Sequence, residues 1–292
     1  MIQNLEINYY KRQMKNPIYP CLWFDGNAKA AAEFYCSIFD HSKIINDKPF
    51  FVHFEIEGKL IMGMNGGPMF KINPSISFFV ICETEEEIET IWNKFVEDGN
   101  IMMPLDQYPW SKKYGFVADK FGVCWQLMLG ELPAGVPKIM PCLLFVGEQY
   151  GKAQEAIKQY TSIFPDSEIQ SMSLDESEDP QQAGSLKFGN FKLQNELFAA
   201  MDGFGEHEFQ FNEGFSLVVE CDTQEEIDDY WTKLTEGGSE SQCGWLKDRF
   251  GVSWQIIPSI LGELMAEPEK AQRVVQAFMQ MKKMDIETLL KA

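Results

Sequence analysis

The stretch Asp119-Lys120-Phe121-Gly122-Val123-Cys124-Trp125-Gln126 returns later in the chain as Asp248-Arg249-Phe250-Gly251-Val252-Ser253-Trp254-Gln255. Working outward, more blocks recur in the same order. Ile18-Tyr19-Pro20-Cys21-Leu22 reappears as Ile139-Met140-Pro141-Cys142-Leu143, and Tyr35-Cys36-Ser37-Ile38-Phe39 as Tyr160-Thr161-Ser162-Ile163-Phe164. Cys82-Glu83-Thr84, ahead of an acidic helix with Trp92, returns as Cys221-Asp222-Thr223 with Trp231. Four blocks in one order define two copies of one module. The division read from them is 17–130 and 138–258, with a helical tail over 267–290. Pro133, Gly135 and Pro137 mark the linker.

Within a copy, the apolar run Pro20 to Phe24 reads as a strand. Ala31, Phe34, Tyr35 and Ile38 then fall at helical spacing. Three strand-like runs follow, through Met64. A second such unit opens on Ser77 to Cys82, and Thr84 with Glu87 forms a capping box for its helix. Thr223 and Glu226 repeat that box in the second copy. The order is βαβββ, twice per copy, in an α+β protein. Val274, Ala277, Phe278 and Met281 predict one docked helix in the tail.

The 292 residues are 45% hydrophobic and 24% charged, with 44 acidic against 25 basic side chains and a formal charge of -19. A surface of that sign repels nucleic acid and anionic membranes. No apolar run reaches the roughly 18 residues of a spanning helix. Met1 to Asn16 is polar, without a signal-peptide core. Seven cysteines, most in apolar runs and none in CxxC spacing, fit a reducing cytoplasm.

Paired βαβββ units resemble the vicinal oxygen chelate superfamily of glyoxalase I, bleomycin-resistance proteins and extradiol dioxygenases. Pro20-Cys21-Leu22-Trp23-Phe24-Asp25-Gly26, Phe34 to Phe39, Cys243 to Ile256 and Lys270 to Ala277 look like its PhnB-like branch, also labelled 3-demethylubiquinone-9 3-methyltransferase-like. The resemblance implies tandem glyoxalase-like domains meeting as an intramolecular pseudo-dimer, since single-copy relatives pair units between subunits. A homodimer is compatible with the same arrangement. The methyltransferase label fails on chemistry. Gly66-Gly67 and Gly237-Gly238 sit at a hairpin and a helix end, not at a strand-to-helix turn that could hold a nucleotide cofactor.

Metal-using members of the superfamily place His, Glu, His and Glu on four strands. Those positions align with Pro20, a residue near Met62, Ser77 and Gln126. In the second copy they align with Pro141, a residue near Ala199, Ser216 and Gln255. Such residues give a hard divalent ion almost nothing, so no metal and no cofactor is expected. His41, His53 and His207 are read as turn, strand and solvated-loop residues. Strand alternation turns Gln126 and Gln255 into the concave sheet face and Trp125 and Trp254 beneath the helices. The ligand set expected for a small molecule of unknown identity is Gln126, Gln255, Ser77, Ser216 and Cys243, with both Trp–Gln pairs also readable as core. Two functions stay open: metal-free binding or sequestration in a cavity between units, which is favoured, and an enzyme acting on a small oxygenated metabolite. The second copy keeps more of the branch's strings, so Gln255 is expected to matter more than Gln126.

Overall fold

The computed structural model describes residues 18–194 and 196–292; the reading of Met1 to Asn16 falls outside them. Four βαβββ units follow one another. The first is β1 (Ile18–Phe24), α1 (Ala28–Cys36), β2 (Ser42–Asp47), β3 (Phe51–Ile56) and β4 (Lys59–Asn65). The second is β5 (Ile76–Cys82), α2 (Glu85–Val96), β6 (Asn100–Tyr108), β7 (Ser111–Ala118) and β8 (Cys124–Leu129). The third is β9 (Ile139–Phe145), α3 (Ala153–Ile163), β10 (Glu168–Leu174), β11 (Leu186–Leu193) and β12 (Glu196–Asp202). The fourth is β13 (Phe215–Cys221), α4 (Gln224–Thr235), β14 (Ser239–Glu240), β15 (Trp245–Lys247) and β16 (Ser253–Pro258).

The units do not pair within their own copy. The first sheet runs β14-β15-β16-β13-β1-β4-β3-β2, so it joins the first and fourth units. The second runs β10-β11-β12-β9-β5-β8-β7-β6 and joins the second and third. The seams are antiparallel: Cys21 faces Ser216 across β1 and β13, and Cys142 faces Ser77 across β9 and β5. Equal registers at both seams express the internal repeat as an approximate two-fold. Repeats of the sequence and sheets of the fold are therefore different partitions of the chain.

What holds a copy together is the helix layer. Trp125 stacks on Phe95 of α2 at 4.5 Å and meets Tyr35 of α1, carried by the other sheet, at 5.2 Å. Such ring pairs add about 0.5–1.5 kcal/mol each beyond their buried area. Trp254 repeats the arrangement against Tyr160 at 5.3 Å and Phe164 at 5.5 Å. Each tryptophan is pinned by the aspartate that opens the repeated signature. Trp125 Nε1 donates to Asp119 and Trp254 Nε1 to Asp248, both at 2.9 Å. The other oxygen of Asp248 accepts the amides of Phe250 and Val252, which closes the turn before β16. The two helix-bearing faces thus share one apolar core.

The helix starts follow local chemistry. Thr223 accepts the Glu226 amide while the Glu226 carboxylate accepts the Thr223 amide, a reciprocal cap. Thr84 accepts the Glu87 amide, but the Glu87 side chain reaches the Glu83 amide and Lys138 instead. The tail departs from the single helix its spacing predicts. After the short α5 (Leu261–Leu264), it forms α6 (Pro268–Phe278) and α7 (Ile286–Lys291). The break has a cause: the Met281 and Lys282 carbonyls accept the amides of Cys243 and Gly244, so they cannot serve a continuing helix. Asp285 then caps the restart by accepting the Thr288 amide at 2.7 Å.

Candidate functional site

Each sheet turns one face to the helices and the other away from them. On the helix-free face of the first sheet, Tyr19, Cys21, Met62 and Val218 form a buried cluster. Ile18, Leu22 and Phe24 pack on the opposite side. Pro20 therefore lies under the helices, and the first-strand position facing the site is Cys21, with Cys142 in the other copy. Aligning that position with Pro20 and Pro141 is off by one residue, and in a strand one residue exchanges the faces. The sequence alignment fixed the block but not its register, so the thiols were missed.

Cys21 pairs in register with Ser216 and Met62, and Gln255 lies beside Val218 on the next strand. Gln255 Nε2 donates to Ser216 Oγ at 2.9 Å. The second face repeats this floor with Cys142, Ala199, Ser77 and Gln126. There Gln126 Nε2 donates to Ser77 Oγ at 2.8 Å, and Tyr114 donates to Gln126 Oε1 at 2.7 Å. Four of the five ligand residues read from sequence are thus brought together, two on each face. Cys243 joins neither pair. Its side chain packs against the helix-side core, and its amide donates to Met281 at 2.8 Å. Burial raises its thiol.

The vicinal oxygen chelate fold implies a divalent metal at these strand positions. The donors do not fit one. Burial pushes the Cys21 and Cys142 thiols up to about 12, against the lowering effect of Gln255 and Ser216 on the first and Gln126 on the second. Each floor offers one thiol, a single soft donor. Methionine, alanine, a serine hydroxyl and one amide complete the set, and they offer a hard cation little. Among the described residues, no group of three His, Cys, Asp or Glu side chains is placed to hold an ion.

Beyond the shared floor the faces differ. At the first, the Tyr19 hydroxyl donates to Glu220 Oε1 at 2.6 Å, and both residues are buried. Burial, then the Glu220 carboxylate, raises the Tyr19 phenol well above its ordinary range. His53 packs edge-on to Tyr19, ring centres 6.1 Å apart. Trp23, Phe70 and Trp245 close one end. The matching register positions on the second face hold Met140, Ile81 and Asn190. The Tyr19–Glu220 pair is invisible in linear sequence, because its members lie in different copies. One signal was available: Glu220 is the lone charge in the apolar run Phe215 to Cys221.

His41 is exposed in the turn before β2, whereas His207, read as a solvated-loop residue, packs on Phe209 at 5.1 Å with its Nε2 buried and without a hydrogen bond beside Gly203, which also borders Leu144 of β9. A cleft of about 480 Å³ opens between α3 and α4, lined by charged side chains including Glu155, Lys158, Lys233 and Arg249. It shares no residue with either face. Among the described residues no helix is long and apolar enough to cross a membrane.

Two eight-stranded sheets built from four βαβββ units define a tandem glyoxalase-like protein of the vicinal oxygen chelate fold. A family model described as 3-demethylubiquinone-9 3-methyltransferase matches residues 16–128 and again 137–257, so the chain belongs to that family. Among solved structures, the PhnB protein of Bacillus cereus is 39% identical over 38% of this chain and 98% of its own, with a TM-score of 0.37. A Staphylococcus aureus protein is 31% identical over 40% of this chain and all of its own, with a TM-score of 0.19. Glyoxalase I of Zea mays matches across both copies: 89% of this chain, 99% of its own, TM-score 0.57, at 11% identity. That likeness is one of fold. No curated protein matches the chain.

Proposed function

We propose that this chain is a PhnB-like member of the glyoxalase and bleomycin-resistance superfamily that binds or sequesters a small molecule without a metal, on the helix-free sheet faces. The observation that carries this reading is the repeated floor of Ser, Gln and a buried thiol, in which Gln donates to Ser at 2.8 and 2.9 Å. Such a floor can orient a polar ligand group by donating and accepting hydrogen bonds, and it supplies no Lewis acid. Methyl transfer is not part of the proposal, because Gly66-Gly67 follows a strand without opening a helix and Gly237-Gly238 ends α4.

A second reading, an enzyme acting on a small oxygenated metabolite, is favoured by one observation. Tyr19, His53 and Glu220 bring three titratable groups together on the first face. Proton transfer needs such a convergence.

The test has two arms. Protein dialysed against Zn, Ni, Fe(II) and Mn should retain far less than one ion per chain by elemental analysis. A fragment library screened by ligand-observed NMR should give hits weakened by Gln126→Leu or Gln255→Leu. One ion per chain, lost in Cys21→Ala or Gln255→Leu, would overturn the metal-free reading. Hits indifferent to both glutamines would move the site elsewhere.

A further inference from the structure

The second face keeps the common floor but surrounds it with a different chemistry. Met140, Asn190 and Ile81 stand where the first face has Tyr19, His53 and Glu220. Half-buried methionines, Met102, Met103, Met128 and Met201, pack around its apolar cluster. At its margin the β6–β7 hairpin carries Tyr108 stacked on Trp110 at 5.1 Å, and both rings meet Tyr114 edge-on at 5.7 Å. Trp110 is 60% exposed. Tyr114 leads inward to Gln126.

One polar atom at these register positions is out of place. Asn190 Oδ1 is buried on this face and accepts no hydrogen bond. Its register partner on β12, Ala199, belongs to the apolar cluster and has no donor, and its partner on β10, Ser171, is exposed and makes no hydrogen bond to it. An unsatisfied buried acceptor costs about 1–3 kcal/mol, and native proteins keep few of them. A ligand N–H or O–H would recover that cost. The flanking charge is already engaged, since Lys192 pairs with Glu168 at 3.1 Å. A charged ligand would find no counter-ion among the cluster residues, and burying it would be costly. Methionine sulfur favours aromatic rings, and its unbranched chain adapts to their shape.

Resting on the small-molecule reading above, we infer that the second face is a site for a flat, neutral aromatic molecule carrying one hydrogen-bond donor. The donor meets Asn190 Oδ1, the ring lies among the methionines, and Trp110 stands at the mouth.

The probes are 2-naphthol, neutral at pH 7, and its saturated analogue decahydro-2-naphthol, titrated calorimetrically into the full chain. 2-Naphthol should bind, and the saturated compound about fivefold more weakly. Asn190→Leu should weaken 2-naphthol about tenfold, by loss of one hydrogen bond in a buried setting. Trp110→Ala, at a position 60% exposed, should weaken it about threefold. With methyl-labelled methionine, the shifts should fall on Met102, Met103, Met128, Met140 and Met201, not on Met62 or Met64. Equal binding of the two probes, indifference to Asn190→Leu, or shifts at Met62 and Met64 would overturn the assignment. If 2-naphthol fails while other fragments bind either face, this inference falls and the small-molecule reading stands. If nothing binds either face, both fall.

Discussion

Replacing Asp248 by asparagine tests the joint that holds Trp254 under the helices. One carboxyl oxygen accepts the Phe250 and Val252 amides at 2.9 and 3.0 Å. The other accepts Tyr160 Oη at 2.7 Å and Trp254 Nε1 at 2.9 Å. Asparagine keeps the first oxygen and places an NH₂ against the second pair. The tyrosine hydroxyl can turn and accept; the indole N–H cannot. One orphaned donor costs about 1–3 kcal/mol. Burial works in the other direction, raising the Asp248 carboxyl from 3.8 to about 6 against the lowering effect of its four donors. An acid raised on folding contributes stability that is whole below its unfolded value and is lost as pH rises through its folded value. The full loss is about 3 kcal/mol at 1.36 kcal/mol per unit. About 1 kcal/mol of it falls between pH 5.2 and 8. The range starts there because the sequence pI is near 4.6. Asp248→Asn should therefore be about 2 kcal/mol less stable than wild type at pH 5.2, and the gap should narrow by about 1 kcal/mol at pH 8. Urea unfolding at several pH values, followed by tryptophan fluorescence, measures it. A gap that widens with pH would refute the reasoning, because the four donors would then outweigh burial.

Two further outcomes follow from buried groups. Lys59, 4% exposed at the start of β4, pairs with Glu196 at the start of β12 and so bridges the two sheets. Lys59→Met should cost about 1–3 kcal/mol by leaving the half-buried Glu196 carboxylate without its partner, and Lys59→Met with Glu196→Leu should recover most of it; denaturant midpoints decide. Of the seven cysteines, only Cys36 and Cys243 are more than slightly exposed. Ellman's reagent at pH 8 should titrate no more than those two in native protein and all seven after denaturation. Fast reaction at Cys21 or Cys142 would show that these two thiols are accessible and acidic, against their burial.

Much of the fold was legible because the chain states it twice. Asp119 to Gln126 and Asp248 to Gln255 each encode a turn and a strand with one face for each neighbour, and alternation alone separates Trp from Gln. Which unit pairs with which was less accessible, since every unit has the same order of elements and either partner offers an apolar seam. The site was legible only where residues recur. Ser77 with Gln126 and Ser216 with Gln255 stand at matching places in both copies. Tyr19 with Glu220 does not recur, and its members meet across the seam between the first and fourth units. Cys21 was lost to a one-residue slip, which matters little to a helix and everything to a strand.

The exchange of units between sheets bears on how the two faces came to differ. In a single-copy chain pairing with itself, both faces draw on identical units, so a residue placed on one is placed on both. Here the first face takes its floor from units one and four, the second from units three and two. Tyr19 and Glu220 come from different copies yet meet on one face. Their counterparts Met140 and Ile81 also come from different copies and stand on the other face. A substitution in one copy therefore alters half of one face and leaves the other untouched. Joining the copies also replaces a concentration-dependent association by an intramolecular one, which tolerates a less self-complementary seam. Titratable groups on one face and methionines on the other are thus a combination that needs the duplicated chain, and a symmetric pair of single copies could not hold both.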